Sequence, residues 1–432
     1  MTAPSRTVLP RARDIAAASR CGDVTVVSTA EATLARIAEV DPTLEAFVAV
    51  DADAVLASAR ELDAMEPVGP LHGVPVALKD IIDTADLPTS YGSPIYAKHR
   101  PTSDAVVVER LRAAGALIVG KTVTTEFALF EPGPTRNPHD HTRTPGGSSS
   151  GSAAAVAAGL VPLALGTQTA GSVVRPASFC GVVGAKPTFG LVPFTGVKLC
   201  SPSLDTLGVF AADVDDAALA LGAMADVELA LGADTPSRPL RLGWWAGSTP
   251  MESSAAAVVA AAVSALRSRS DVEIVDVALP DWFAELVADQ SALMHVEARE
   301  ALATEHRAHA DRLSATLRAM LDAEPDRAAA RRALDRRPDA QRTLRLALEG
   351  LDGLLTPSVL GEAPVRTSTG DPVLCRIWTL IGAPAIAIPG LTGTSRLPLG
   401  VQVVGPVGAD LALLRAARRL GPMLDAVGSA LQ

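Results

Sequence analysis

Two periods of apolar residues alternate along the chain. Between residues 11 and 66 the spacing is helical: Ala32, Leu34, Ile37, Ala38 and Val40 line one face, and Ser28-Thr-Ala-Glu31 has the form of a capping box. Val55 to Met65 reads as a further helix, ended by Pro67-Val-Gly-Pro70. The period then changes to two: Val74, Val76 and Leu78 alternate with Pro75, Ala77 and Lys79, which predicts a strand within Leu71 to Ile82. Lys79 would share a face with Ala77 and Ile81, an apolar setting for an ammonium group, and Asp80 would point the other way. A helix is expected over Ser103 to Gly115, capped by Ser103 or Asp104, followed by a buried strand at Ala116 to Val119.

Beyond residue 150 the small, apolar run Ala153 to Leu165 separates two clusters of glycine and serine. Ser178 to Phe210 is glycine-rich and strand-like, with bends expected at Gly181, Gly184, Gly190 and Gly196. A helix over Asp213 to Met224, strands at Leu240 to Trp244 and Val272 to Leu279, and helices over 252–268 and 282–350 follow. Leu351 to Thr356, Pro384 to Ile388 and Val401 to Val404 read as strands that rejoin the first sheet, which makes the chain one large α/β domain without internal repeats.

With 432 residues, 48% of them hydrophobic, the chain can bury a large core. Its formal charge of −10 argues against nucleic-acid binding, which needs a basic face. Cys21, Cys180, Cys200 and Cys375 show no Cys-x-x-Cys spacing, so neither a disulfide scaffold nor a structural zinc is expected. Arg6, Arg11 and Arg13 are not followed by the apolar core of a signal peptide, and no apolar run reaches membrane-spanning length. The expected location is the cytoplasm.

The candidate chemistry lies in Thr144-Pro-Gly-Gly-Ser-Ser-Ser-Gly-Ser152 and Gly166-Thr-Gln-Thr-Ala-Gly-Ser-Val-Val-Arg-Pro-Ala177. Each cluster abuts apolar sequence, so both are expected as buried turns, where hydroxyls need partners. Two literal motif matches mislead. Gly115-Ala-Leu-Ile-Val-Gly-Lys-Thr122 fits the phosphate-loop pattern, but a helix precedes it and its middle reads as a buried strand. Gly147-Ser-Ser-Ser-Gly151 fits the nucleophile elbow of α/β-hydrolases, but a polar, proline-broken loop stands where the strand should be. No later histidine is well placed: His295, His306 and His309 lie in polar helical sequence. His139, Asp140 and His141 lack a third convincing metal ligand, and Cys180 reads as a small buried hydrophobe.

The stretch Gly146-Gly-Ser-Ser-Ser-Gly-Ser152, followed by Gly171-Ser172 and preceded by Gly73-Val-Pro-Val-Ala-Leu-Lys-Asp80, resembles the amidase signature family of serine amide hydrolases. The resemblance covers Leu71 to Phe210 and resumes at Leu354-Leu-Thr-Pro357 and Leu397 to Gly405. It implies a central mixed, twisted β-sheet covered by helices on both faces. Within it, residues 1–66 would form a helical lead-in, 67–225 the signature core, 226–350 a variable helical cap and 351–432 the returning strands and last helix. It places a catalytic triad at Lys79, Ser148 (in a cis peptide) and Ser172, the two serines being the family's 24 residues apart (172 − 148).

The implied reaction needs no metal or cofactor. Neutral Lys79 takes a proton through Ser148, Ser172 attacks a small-molecule amide, ammonia leaves, and water hydrolyses the acyl-enzyme. A lysine serves as base only when burial lowers its pKa. The resemblance assigns the oxyanion hole to the N–H groups of Thr169, Ala170, Gly171 and Ser172, with Ala170 departing from the usual glycine. Through Gly-Thr-Gln-Thr and Arg175 the chain looks most like bacterial malonamidase, which implies that Arg175 holds a carboxylate on a substrate such as malonamate. An arginine tied to protein acceptors is the alternative for Arg175. The alternatives for the whole chain are an amidotransferase subunit of the same family, an α/β-hydrolase-type serine esterase and a non-catalytic binding protein. A homodimer is expected at the level of the family.

Overall fold

The computed structural model describes residues 11–232 and 238–431, and Arg6 of the basic amino-terminal stretch lies outside them. The amino-terminal part contains α1 (Ala12–Cys21), α2 (Val26–Leu44), a short strand β1 (Phe47–Ala49) and α3 (Ala52–Asp63). Next come β2 (Pro75–Lys79), α4 (Val106–Ala113), β3 (Leu117–Thr122), α5 (Ser150–Ala157), β4 (Leu163–Gln168) and α6 (Val174–Cys180). They are followed by β5 (Val183–Lys186), β6 (Thr206–Ala211), α7 (Val214–Ala225), β7 (Leu240–Trp244), α8 (Ser253–Arg267) and β8 (Val272–Asp276). The helices α9 (Glu285–Ala301), α10 (Ala303–His309), α11 (Ala315–Asp322) and α12 (Arg327–Ala347) run together. Then β9 (Gly353–Pro357), α13 (Val373–Leu380), β10 (Ala385–Thr392), β11 (Pro398–Val404) and α14 (Asp410–Ala430) close the described chain.

All of these strands join one sheet in the order β1-β3-β2-β4-β6-β5-β10-β11-β9-β7-β8. The pairs β2–β3, β2–β4, β7–β8 and β7–β9 are parallel and the others antiparallel, so the sheet is mixed. Helices cover both faces. Val76 and Leu78 of β2 join one apolar layer with Leu111 of α4, Leu221 of α7 and Leu420 of α14. Ala77 joins the other with Ala154 of α5, Val174 of α6 and Leu293 of α9. Burial on both sides explains why β2, β3 and β4 read as nearly unbroken apolar runs.

Local differences from the sequence expectation each have a competing partner. Helix α2 starts earlier than the expected capping box: Thr25 Oγ1 accepts from Ser28 N at 3.0 Å, so Ser28 to Glu31 lies inside the helix. Asp104 does not cap α4; its carboxylate instead accepts from Ala85 N and Arg112 Nε, both at 2.8 Å. Strand β2 stops at Lys79, whose carbonyl accepts from Ile81 N at 2.7 Å and Ile82 N at 3.0 Å. That turn sends Ile81 into the layer of Val76 and Leu78, away from Ala77. Gly184 is no bend but lies within β5, where a Cβ would stand 2.4 Å from that of Ala177. The phosphate-loop look-alike is the turn after α4 and strand β3, with Lys121 fully buried.

Candidate active site

Lys79 ends β2 on the face that carries Ala77, and its side chain is 0% exposed. Its Nζ lies 2.7 Å from Ser148 Oγ and 2.7 Å from Thr167 Oγ1. Burial pulls the lysine pKa down to about 7, against the opposing pull of Asp205 and Cys200. A large fraction of the amine is therefore neutral near pH 7, with a lone pair to accept a proton.

Ser148 lies in the turn between Thr144 and α5, and the Gly147–Ser148 peptide bond is cis. Its neighbours in the serine cluster serve the backbone. Ser149 Oγ bridges the N–H and carbonyl of Thr167, each at 3.3 Å. Ser150 Oγ donates to Gly146 O at 2.9 Å, and Ser152 Oγ to Leu165 O at 2.7 Å. Gly151 has no room for a side chain, since a Cβ would stand 2.1 Å from the carbonyl oxygen of Ala46. Of the cluster's hydroxyls, Ser148 alone reaches the lysine among the described residues. Ser149, the serine of the elbow pattern, is spent on β4, and no strand precedes it.

Strand β4 leads into the second cluster. Gln168 turns to the opposite side from Thr167, and its Oε1 accepts from Val173 N at 2.9 Å and Val174 N at 3.0 Å, which fixes the turn that carries Ser172 into α6. Thr169 Oγ1 donates to Asp205 at 2.6 Å, and Thr169 O accepts from Gln290 Nε2 of α9 at 2.8 Å. Ala170 O accepts from Thr379 Oγ1 of α13 at 2.7 Å. At Gly171 a Cβ would press on Pro372 and Cys375 at 2.9 and 3.1 Å, so α13 packs directly on this loop. The carbonyls of Thr169 and Ala170 are thus held by side chains of α9 and α13. Among the described residues, no protein acceptor takes the N–H groups of Ala170, Gly171 or Ser172. Ser172 is 7% exposed.

Arg175 does not present a free fork. Its Nη2 donates to Gly147 O at 2.5 Å and to Thr369 Oγ1 at 3.3 Å, and its Nη1 donates to Gly370 O. Its Nε is buried without a hydrogen-bond partner among the described residues. Burial holds this guanidinium down to about 10. Cys180 is buried, its thiol pushed up by desolvation, with Sγ at 3.4 Å from Pro145 O. His139 Nε2 lies 2.9 Å from Cys180 O, and no group of three potential metal ligands occurs among the described residues.

Thr167, Asp205, Gln290 and Thr379 surround the site without having been singled out from the sequence. Thr167 and Thr169 flank Gln168 at period two, a signal present in the sequence. Asp205, Gln290 and Thr379 are 36, 121 and 209 residues from the groups they bind, with no local pattern to mark them.

The amidase family model matches residues 28–414. A glutamyl-tRNA(Gln) amidotransferase subunit from Anaeromyxobacter sp. (strain K) is 38% identical over 91% of this chain and 92% of its own. The peptide amidase of Stenotrophomonas maltophilia superposes with a TM-score of 0.82 at 30% identity, covering 97% of each chain. The 6-aminohexanoate cyclic dimer hydrolase in complex with its substrate gives 0.83 at 26% identity, covering 97% of this chain and 98% of that one. A family match across nearly the whole chain, on a sheet that brings a buried lysine to a serine turn, is decisive: the chain belongs to the amidase family and is an amide hydrolase.

Proposed function

We propose that the protein hydrolyses a small amide to its carboxylate and ammonia through an acyl-enzyme on Ser172. The observation that carries this reading is the 2.7 Å contact between the buried Lys79 Nζ and Ser148 Oγ, in a setting that pulls the lysine pKa to about 7. Neutral Lys79 draws the proton of Ser172 through Ser148 as Ser172 attacks the amide carbon. The N–H groups of Thr169, Ala170, Gly171 and Ser172 stabilise the oxyanion; the hydrogen bonds that hold Thr169 O and Ala170 O, and the lack of a protein acceptor for the N–H groups of Ala170, Gly171 and Ser172 among the described residues, support that role. The relay returns the proton to the leaving amine, and water repeats the cycle on the ester.

A carboxylate-bearing substrate such as malonamate is the narrower reading. It requires Arg175 to offer a bidentate fork, and its terminal nitrogens are engaged by Gly147, Thr369 and Gly370. The proposal is therefore a small amide without a required carboxylate, turned over in the cytoplasm by this chain alone or as a homodimer. A second reading, an amidotransferase subunit that releases ammonia for a partner, is favoured by the 38% identity to the glutamyl-tRNA(Gln) amidotransferase subunit of Anaeromyxobacter.

Incubating purified protein with primary amides, including glutamine and malonamate, and measuring ammonia without partner or ATP separates these readings. Release from simple amides is the expected result. Release from glutamine alone, and only with partner subunits added, would establish the second reading.

A further inference from the structure

Asp205 stands just before β6, and the antiparallel pairing of Gln168 with Thr206 brings it alongside the loop that carries Ser172. Its carboxylate is buried and accepts three hydrogen bonds: from Thr169 Oγ1 at 2.6 Å, Cys200 N at 2.7 Å and Ser201 N at 2.9 Å. Thr167, whose hydroxyl meets Lys79 Nζ, is two residues before Thr169. One short stretch of chain therefore holds the amine of Lys79 at one threonine and a carboxylate at the next. No carboxylate hydrogen-bonds Lys79 directly among the described residues, so Asp205 acts on it through space.

The charged and titratable groups around the pair are few. Lys79 faces Asp205 and the Cys200 thiol. Asp205 faces Lys79 of β2 and the Cys200 thiol, and Glu297 of α9, which also acts on Cys200, accepts from Ser201 Oγ at 2.5 Å. Burial raises Asp205 to about 6, opposed by its three hydrogen bonds and by Lys79, so the carboxylate is ionised where the lysine works as a base.

We propose that Asp205 is a positioning residue for the hydrolysis, the buried counter-charge of Lys79, and that its bond to Thr169 ties this charge to the loop bearing Ser172. It rests on the reading of Lys79, Ser148 and Ser172 given above. The proton of Ser172 passes through Ser148 to Lys79 Nζ, which becomes an ammonium. Asp205 keeps its negative charge throughout and takes no proton, and the ammonium gives its proton up to the leaving nitrogen.

The test is the pH profile of kcat/KM for wild type, Asp205→Asn and Thr169→Val. Removing the negative charge makes the ammonium less favourable, so the rising limb of Asp205→Asn moves to lower pH by on the order of one unit, with a lower plateau. Thr169→Val keeps the carboxylate but removes a hydrogen bond that holds its pKa down, so it loses rate and its limb moves less than that of Asp205→Asn. An unmoved limb in folded Asp205→Asn, or an equal shift in Thr169→Val, overturns the proposal.

A second measurement covers failure of Asp205→Asn to fold. By carbon-13 NMR, the Asp205 carboxyl should titrate at higher pH in Lys79→Met than in wild type, and equal midpoints overturn the proposal. The NMR arm needs no turnover, so it decides on Asp205 even where an inactive wild type would sink the reading of Ser172.

Discussion

Arg175 Nη2 donates to the carbonyl oxygen of Gly147 at 2.5 Å, so the residue three places after Ser172 holds the peptide that leads into Ser148. The same guanidinium spans to Gly370 and Thr369 in the turn before α13. Arg175→Ala leaves buried carbonyls without donors, at roughly 1–3 kcal/mol for each group left unsatisfied. The expected outcome is a lower Tm and a similar fall in kcat/KM on malonamate and on a neutral amide of the same size. A loss confined to malonamate, as a rise in KM with Tm unchanged, would establish the carboxylate-binding role.

Ser172→Ala should leave the fold intact and abolish acyl-enzyme formation, because it removes one hydroxyl at little change in volume. Mass spectrometry after reaction with a serine-directed acylating reagent should place the adduct on Ser172 in wild type. An adduct on Ser149 would revive the nucleophile-elbow reading, although Ser149 Oγ is bound to the backbone of Thr167.

The elements with a strong local period were legible in the sequence. The alternation from Val74 to Lys79 marks β2, and Asp213, whose carboxylate accepts from Asp216 N, marks the start of α7. The Gly/Ser clusters could be recognised as buried turns because apolar runs flank both. Helix α6 was hidden, since Val174 to Cys180 combines a β-branched residue, a proline and a serine, and its helical state is set by Gln168 gripping Val173 N and Val174 N. The partners of Arg175 were equally hidden. Gly370 is 195 residues away, and a backbone carbonyl has no sequence signature. Chemistry specified by residue type near β2 and β4 could be read, whereas the supports brought by α9 and α13 required the tertiary fold.

Lys79 couples activity to pH. The base must be neutral, so kcat/KM should be low in acid and rise with a midpoint near the value of about 7 that burial imposes on the lysine. Stability follows from the same shift. The folded-state pKa lies below the usual 10.5, so the folded protein binds fewer protons than the unfolded chain between about 7 and 10.5, and this residue's contribution to stability rises with pH across that window. Lys79→Met should therefore raise Tm near pH 7, by on the order of a few kcal/mol in stability, while costing several orders of magnitude in rate. A variant near wild-type activity, or a wild type fully active at pH 5, contradicts the base assignment.

The second buried lysine should behave in the opposite way, because a carboxylate touches it directly, whereas Lys79 feels Asp205 only through space. Lys121 Nζ stands 3.5 Å from Asp80 Oδ1 and donates to Ile82 O at 2.5 Å and Thr89 Oγ1 at 2.7 Å. Asp80 Oδ2 in turn accepts from Ser90 N at 3.0 Å and Ser90 Oγ at 2.5 Å. The group pins the turn that ends β2 and so fixes where Lys79 enters the site. Burial lowers Lys121 to about 8 and raises Asp80, each opposed by the other's charge. Lys121→Met strands the Asp80 carboxylate in the core, which typically costs roughly 3–5 kcal/mol. Lys121→Met combined with Asp80→Asn removes both charges and should recover part of that loss, a coupling that thermal melts of the two single variants and the double variant would measure. Additive single losses would show that the two side chains act independently. ATP with magnesium should leave the wild-type Tm unchanged, since Gly115 to Thr122 forms the turn after a helix and a buried strand; a rise in Tm would reopen nucleotide binding at this stretch.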